Sequence, residues 1–311
     1  MANDFLAIAD LLADGLDLSG TEINDILDAA PLVARMPFVP SSNGTTHKYI
    51  RETANPTVNF RAANAGRDFD HSTDLVVTAN LGILDWSFAV DKAVADAWKN
   101  GGAENLIARE ARRHIRAAMA VLETQVINNT VGSNAFTGFA GLTTLDGAAD
   151  AMVIDAGGTS AGEGSSCYLV HAGEMSGVCG VYKGDGMPIE MGDTIVQNML
   201  DGSSLNYPAY YTPGCSWFGL QVGGSYSLSR IASLTEDSGK GLTDDLISQA
   251  ISLHPVTHRS NLIVMNRRSL GQLQQSRTAT NATGAPAPFP SESFGIPIVV
   301  TDAIGNTETL L

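Results

Sequence analysis

The sequence predicts an α+β fold with thin projecting parts, and three observations carry that prediction. Residues Glu104 to Asn129 form one uninterrupted amphipathic helical run. Residues from about 166 to 235 alternate short β-like runs with turns. The C-terminal residues then read helix, strand, helix, loop, strand, which makes a compact α+β unit.

From the N-terminus, residues 1–41 read as an extended arm carrying short helices. Phe5, Leu6, Ile8, Ala9, Leu11 and Leu12 suggest one short amphipathic helix. Thr21 is placed to cap a second, with Ile23, Ile26 and Leu27 on its apolar side. Pro31, Pro37 and Pro40 stiffen the exit. Such an arm has little core of its own, so it must lie on the body or on a neighbouring subunit.

Residues 42–90 read as a long two-stranded hairpin. The outgoing strand is His47 to Arg51, and the return runs from Leu75 through Val90. Between them lies a polar tip, Asn64 to Asp74. An isolated two-stranded ribbon is marginal in water, so other chains are expected to hold it. Asp91 then starts a short helix through Trp98, which ends at Asn100-Gly101-Gly102.

In the long helix the apolar positions are Ile107, Ala111, Ile115, Ala118, Leu122 and Val126, and their spacing puts them on one face. Arg109, Arg112, Arg113 and Arg116 fall opposite, with Glu110 and Glu123 as partial partners. At ~1.5 Å per residue the rod is nearly 40 Å long, which suits a strut better than a catalytic pocket. The Arg stripe is either a solvated face or a contact surface for an acidic neighbour or for phosphates.

Past the helix, Gly132 to Gly141 is a turn-rich link, and Gly157 to Ser166 reads as a flexible surface loop. The β-like runs are Cys167 to His171, Val178 to Tyr182, Pro208 to Thr212, Trp217 to Val222 and Tyr226 to Ile231. A helix follows over 242–254, with Thr243 as N-cap and Asp244 and Asp245 in its first turn. Leu262 to Met265 is a buried strand and Ser269 to Arg277 a helix. Thr278 to Pro290 is a loop, and Gly295 to Asp302 is the last strand.

Composition narrows the function. The 311 residues carry a net charge of −15, which disfavours general binding to the phosphates of DNA or RNA. An acidic surface is also repelled by anionic membranes. No apolar run approaches ~18 residues, so no membrane-spanning helix is expected. Met1 to Asp14 lacks a basic start and does not read as a signal peptide. Cys167, Cys179 and Cys215 are odd in number and without CxxC spacing, so buried free thiols are expected.

Catalytic and metal motifs are missing. His254 and His258 have the spacing of helical metal ligands, but Pro255 lies between them and no glutamate is placed to serve them. Gly162-Glu163-Gly164-Ser165-Ser166 only superficially resembles a nucleophile turn. No P-loop or dinucleotide fingerprint is present. No metal, cofactor or catalytic residue is assigned.

The order of these parts resembles that of a tailed-bacteriophage major capsid protein with the HK97-type fold. Tyr49-Ile50-Arg51-Glu52-Thr53-Ala54-Asn55-Pro56-Thr57-Val58, through Arg61 and Gly66-Arg67, is similar to the extended loop of one branch of that family. Gly138-Phe139-Ala140-Gly141-Leu142 resembles its exit from the spine helix. Asn261 to Asn266, Leu270, and Gly295-Ile296-Pro297-Ile298-Val299 resemble its axial-domain core. The resemblance implies an N-terminal arm over 1–41 and an extended loop over 42–90. A peripheral domain over 91–235 would contain the spine helix 103–130, with an axial domain over 236–311. One departure is that the β-rich section sits early in the chain, which implies a different chain order or an insertion. The family's isopeptide cross-link is not carried over, because no Lys, Asn and carboxylate can be matched.

By that resemblance the chain is a non-enzymatic shell protein of the virion, assembled in the host cytoplasm as pentamers and hexamers around double-stranded DNA bound without sequence specificity. Scaffolding, decoration and portal proteins are its implied partners, and no membrane is involved. Tyr49, Arg51, Arg61, Arg67, Asp68, Arg109, Arg112, Arg113 and Arg116 are the expected inter-subunit contacts. The alternatives are an encapsulin-like nanocompartment, a tail-tube subunit and, in a different class, a hydrolase using one of the cysteines.

Overall fold

The computed structural model describes residues 26–54, 56–99, 101–129, 134–143, 145, 151–184, 189–277 and 288–311. The first expected arm helix and the Thr21 cap therefore lie outside the described residues. What is described of the arm rests on its own body. Ile26, Ala30, Leu32, Val33 and Met36 are all buried in the main core. Val33–Arg35 forms a 3-10 turn, and β1 (Phe38–Pro40) runs parallel to β8 (Val178–Tyr182). Of the two places expected for the arm, residues 26–40 take the first: their apolar side chains find burial on the same chain.

The hairpin is present but ends earlier than the alternation suggested. β2 (Thr46–Ala54) pairs antiparallel with β3 (Thr73–Asn80) from Thr46↔Asn80 to Ala54↔Thr73, with one irregularity after Glu52. The expected return strand through Val90 breaks at Leu81. β4 (Gly82–Asp85) and β5 (Phe88–Asp91) instead join sheets of the body. The cause is burial: Leu81, Trp86 and Phe88 turn into the core and pull the chain off the ribbon. Gly82 passes so close to the backbone at Phe136 that a Cβ there would lie 2.7 Å from its nitrogen.

Asp91 caps the short helix α1 (Lys92–Asp96) by accepting from the Ala93 N–H at 2.8 Å. The spine α2 (Gly102–Asn128) starts after Gly101 (φ 92°) and ends on Asn129 (φ 56°), both left-handed. Its buried face holds Ala111, Ile115, Ala118, Leu122 and Val126 as expected, with Leu106 rather than Ile107 at the start. The exit folds back tightly. A Cβ on Gly138 would overlap the carbonyl oxygens of Gln125 and Val126, the second at 2.8 Å. Asn129 Oδ1 accepts the Gly138 N–H at 2.8 Å and holds that approach, and α3 (Phe139–Leu142) follows. Gly138→Ala should cost at least ~2 kcal/mol, because helix backbone cannot yield as a side chain can. Urea unfolding checks this, and an unchanged midpoint would refute the close approach.

Two sheets build the body. One is ordered β1, β8, β12 (Gly214–Val222), β4, with β9 (Ile189–Met191) also on β12. The other is ordered β15 (Glu292–Ser293), β16 (Ile296–Val300), β14 (Leu262–Met265), β7 (Ser165–Val170), β13 (Leu228–Leu234), β6 (Val153–Asp155). This second sheet is buried on both faces, and its strands alternate between two cores. Tyr168, Val170 and Val264 join the core that holds α2, whereas Cys167, Leu169, Ile263 and Met265 join one with Ile247 and Leu273. Two-sided burial explains why Leu262 to Met265 reads as a continuous apolar run. Ile247 and Leu273 come from α4 (Asp244–Leu253) and α5 (Arg267–Ser276). Thr243 caps α4 as expected, accepting from the Leu246 N–H. Asn266 caps α5, starting that helix earlier than Ser269.

The sequence missed a third sheet, ordered β10 (Ile195–Leu200), β11 (Asn206–Thr212), β5. Gly157 to Ser166 is also not the free loop expected. Asp237 accepts the N–H groups of Thr159 and Ser160, both at 3.0 Å, and the Ser160 hydroxyl at 2.6 Å. Ser165 and Ser166 already lie buried in β7.

Candidate assembly surfaces

The hairpin divides into a root held by the body and a tip whose hydrogen bonds, among the described residues, stay within the tip. At the root, the Tyr49 hydroxyl accepts the Val222 N–H at 3.3 Å, and its ring stacks on His47 with centroids 5.9 Å apart. Burial raises the Tyr49 pKa, keeping the phenol neutral. Arg51 Nη1 donates to the Leu142 carbonyl at 3.3 Å and lines a cavity of about 220 Å³ with Thr143 and Ser225. Tyr49 and Arg51 thus make contacts within their own chain.

Residues 56–72 are exposed throughout. Among the described residues they stitch to one another. The Asp70 carboxylate accepts the N–H groups of Thr57 and His71, both at 2.9 Å, and those bonds lower its pKa, the Thr57 N–H first. Arg67 donates to the Thr57 and Asp68 carbonyls at 3.3 Å, and Arg61 to the Ala65 carbonyl at 3.1 Å. Beside these charged groups stand apolar ones that no sequence pattern marks as exposed. Phe60 and Phe69 are 107% and 88% exposed, and Val58 is 73% exposed. These aromatic side chains have little of their surface removed from water within the chain.

On the spine helix, Arg109 sits over the Trp98 ring at 5.6 Å, and Arg113 pairs with Glu110 at 2.9 Å. Arg112 is half-buried and Arg116 exposed. Three of the four arginines are thus exposed, and Arg112 is partly covered. Nearer the helix's C-terminal end, a groove of about 420 Å³ opens between α2 and β4, lined by Ile83, Leu84, Val121, Phe136 and Phe218.

Glu123 is not a surface partner for that stripe. It is 1% exposed. Its Oε2 accepts the N–H groups of Leu32 at 2.9 Å and Val33 at 3.3 Å, and the Thr301 hydroxyl donates to Oε1. One carboxyl ties the arm, the spine and the end of β16 together. Burial is the main cause of its raised pKa, with the three hydrogen bonds opposing. Helical spacing does not find it: Glu123 sits about 100° round the helix from Leu122, among the arginines, and is buried because the arm and Thr301 cover that side near the helix end.

The remaining reactive groups are built into the core or the surface packing. Cys167 and Cys179 are buried and Cys215 is half-buried, all as free thiols. Burial pushes the Cys167 thiol far up and the Cys179 thiol to about 12. His254 Nε2 lies 2.8 Å from the Ser229 hydroxyl, and the His258 ring meets His171 edge-on at 5.9 Å. Among the described residues no group of His, Cys, Asp or Glu is placed to hold a metal ion. No helix among them is long and apolar enough to cross a membrane.

The family model for major capsid protein GP7 matches residues 18–311. No curated protein matches the chain. Among solved structures, the chain is similar to that of bacteriophage Epsilon15 at 20% identity and a TM-score of 0.64, over 100% of this chain and 98% of that one. The capsid of bacteriophage JBD30 follows at 11% identity and a TM-score of 0.49, over 94% and 97%. The SrpI encapsulin complex of Synechococcus elongatus PCC 7942 matches at 12% identity and 0.44, over 66% and 87%.

Proposed function

The chain belongs to the major capsid protein GP7 family, and from that premise we propose how its copies hold one another in a shell. It is a bacteriophage capsid protein of the HK97-type fold, a structural component of the virion that forms an icosahedral shell. The proposal concerns the contacts. The hairpin tip, residues 56–72, lies on a neighbouring subunit, where Phe60 and Phe69 find their burial. Arg61, Arg67 and Asp68 flank them there, and Tyr49 and Arg51 fix the angle at which the ribbon leaves the body. Arg109, Arg112, Arg113 and Arg116 offer the acidic surface of another copy a basic face. The observation that carries this reading is the exposure of two phenylalanines on a ribbon too thin to be stable without a partner.

Each contact is weak, but closure combines many, so assembly is cooperative and concentration-dependent. Copies gather as pentamers and hexamers, assembled in the host cytoplasm with scaffolding, decoration and portal proteins as partners. The segments 1–41, 42–90, 91–235 and 236–311 act as arm, extended loop, peripheral domain and axial domain. The shell encloses double-stranded DNA, and its acidic wall lets packed DNA slide where a basic wall would trap it. Tight DNA binding by free subunits would count against that last point.

Deleting Thr53 to Asp74 tests the hairpin's role. The variant should remain folded by circular dichroism, and negative-stain microscopy should show no closed particles. Normal shells from that variant would refute an inter-subunit role.

A further inference from the structure

A second thin element is left uncovered, and its backbone specifies a partner. β10 is the edge of the sheet β10–β11–β5 and pairs on one side among the described residues. Ile195, Val196 and Leu200 on it are 49%, 55% and 64% exposed.

The ladder shows which backbone groups face outward. The Asp201 N–H donates to the Leu205 carbonyl at 2.9 Å. Alternation along an antiparallel strand then turns residues 199, 197 and 195 toward β11 and residues 200, 198 and 196 toward the open edge. Pro208 agrees independently. It lies opposite Asn198 and has no N–H to give, so that pair is one that exchanges no ladder bonds. Val196, Asn198 and Leu200 therefore present their N–H and C=O groups outward.

This edge lacks the charges and prolines that usually blunt one. From Thr194 to Ser229 the only charged residue is Asp201, in a chain of net charge −15. Its carboxylate is already occupied by the N–H groups of Ser203 and Leu205, both at 2.8 Å. Copies of an acidic chain repel over most of their surface, but they can meet along this strand without burying an unpaired carboxylate.

We propose that β10 pairs antiparallel with β10 of a second copy, about a two-fold axis at Asn198. Only residues 196, 198 and 200 can exchange backbone bonds across such a junction. Centring on 198 sets Asn198 opposite itself and Val196 opposite Leu200 of the other copy, all on one face. The contact is isologous: one amide pair flanked by two apolar pairs. The proposal rests on the shell reading only for bringing copies together, and it adds an interface separate from the long hairpin.

Disulfide capture tests the register. Asn198→Cys, in a chain carrying Cys215→Ser, places two thiols on Cα atoms roughly 5.5 Å apart, within disulfide reach. Val196→Cys faces Leu200 of the other copy, with its own counterpart roughly 13 Å away along the strand. After mild oxidation, a non-reducing gel should show dimers for Asn198→Cys and monomers for Val196→Cys, in assembled particles and in concentrated soluble chain. Monomeric Asn198→Cys in both, equal capture at 196, or a disulfide to a different protein overturns the proposal. Asn198→Pro gives a second measurement, because it removes an outward N–H that the ladder to β11 does not use. It should keep the wild-type circular dichroism and raise the concentration needed for assembly about tenfold. Unchanged assembly overturns the pairing. Microscopy of particles from the unaltered chain judges the shell reading separately.

Discussion

Ile115→Asp will leave the chain without a soluble fold. Ile115 is 3% exposed, in the middle of α2, beside Trp86 and Phe88. Aspartate there loses a buried aliphatic side chain, worth ~2–5 kcal/mol, and sets an unpaired carboxylate among apolar groups. Together these exceed about 5 kcal/mol, against a total stability of ~5–15 kcal/mol for an ordinary domain. Ile115→Val keeps the shape and should cost only about 1 kcal/mol. Soluble yield and the cooperativity of thermal unfolding report both variants. If Ile115→Asp melts like the parent, the buried face of the spine has been assigned to the wrong residues.

Glu123→Ala should have the next largest effect. It strips the acceptor from the N–H groups of Leu32 and Val33 and from the Thr301 hydroxyl, all in the interior. Unpaired buried donors cost ~1–3 kcal/mol each, so a net loss of ~3–5 kcal/mol is expected, with the arm released first. Glu123→Gln keeps an oxygen toward the two N–H groups and should cost far less. The pair also predicts a pH dependence. Burial raises the folded-state pKa above the ordinary 4.5, so the fold prefers the protonated carboxyl. The resulting stabilisation is complete below the unfolded value and is lost as pH rises through the folded one. Relative to Glu123→Gln, which mimics the protonated form, the natural chain should therefore lose stability as pH climbs above 4.5. Denaturant midpoints of both proteins across that range measure the difference, and the other carboxylates cancel. A parallel pair of curves would show that Glu123 keeps its ordinary titration.

Local periodicity and local caps were legible in the sequence. The spine from Glu104 onward, Thr243 at the head of α4 and the buried run Leu262 to Met265 all depend on neighbours within a few residues. Such contacts survive as patterns in the chain. The hairpin was legible as far as Asn80. Beyond that, Leu84, Trp86 and Phe88 continue the alternation, and nothing local says that they change sheets. β10 was missed for a related reason: its residues run apolar, apolar, polar, polar, apolar, apolar, which leaves no strict alternation to see.

The candidate surfaces divide in the same way. Charged residues such as Arg61, Arg67 and Asp68 stand out in any sequence of few charges, whereas Phe60 and Phe69 look like ordinary core residues until their exposure is known. Glu123 is the converse, a carboxylate that reads as surface and is buried.

The sequence by itself determined the order of parts, the register of the helices and the acidic, motif-poor character of the chain. Only the tertiary structure decided which strands share a sheet, that residues 26–40 lie on their own body, and which apolar side chains remain uncovered. Those outcomes turn on contacts between residues as many as 263 apart, such as Arg35 with Ile298, and burial at that range is a property of the packed molecule.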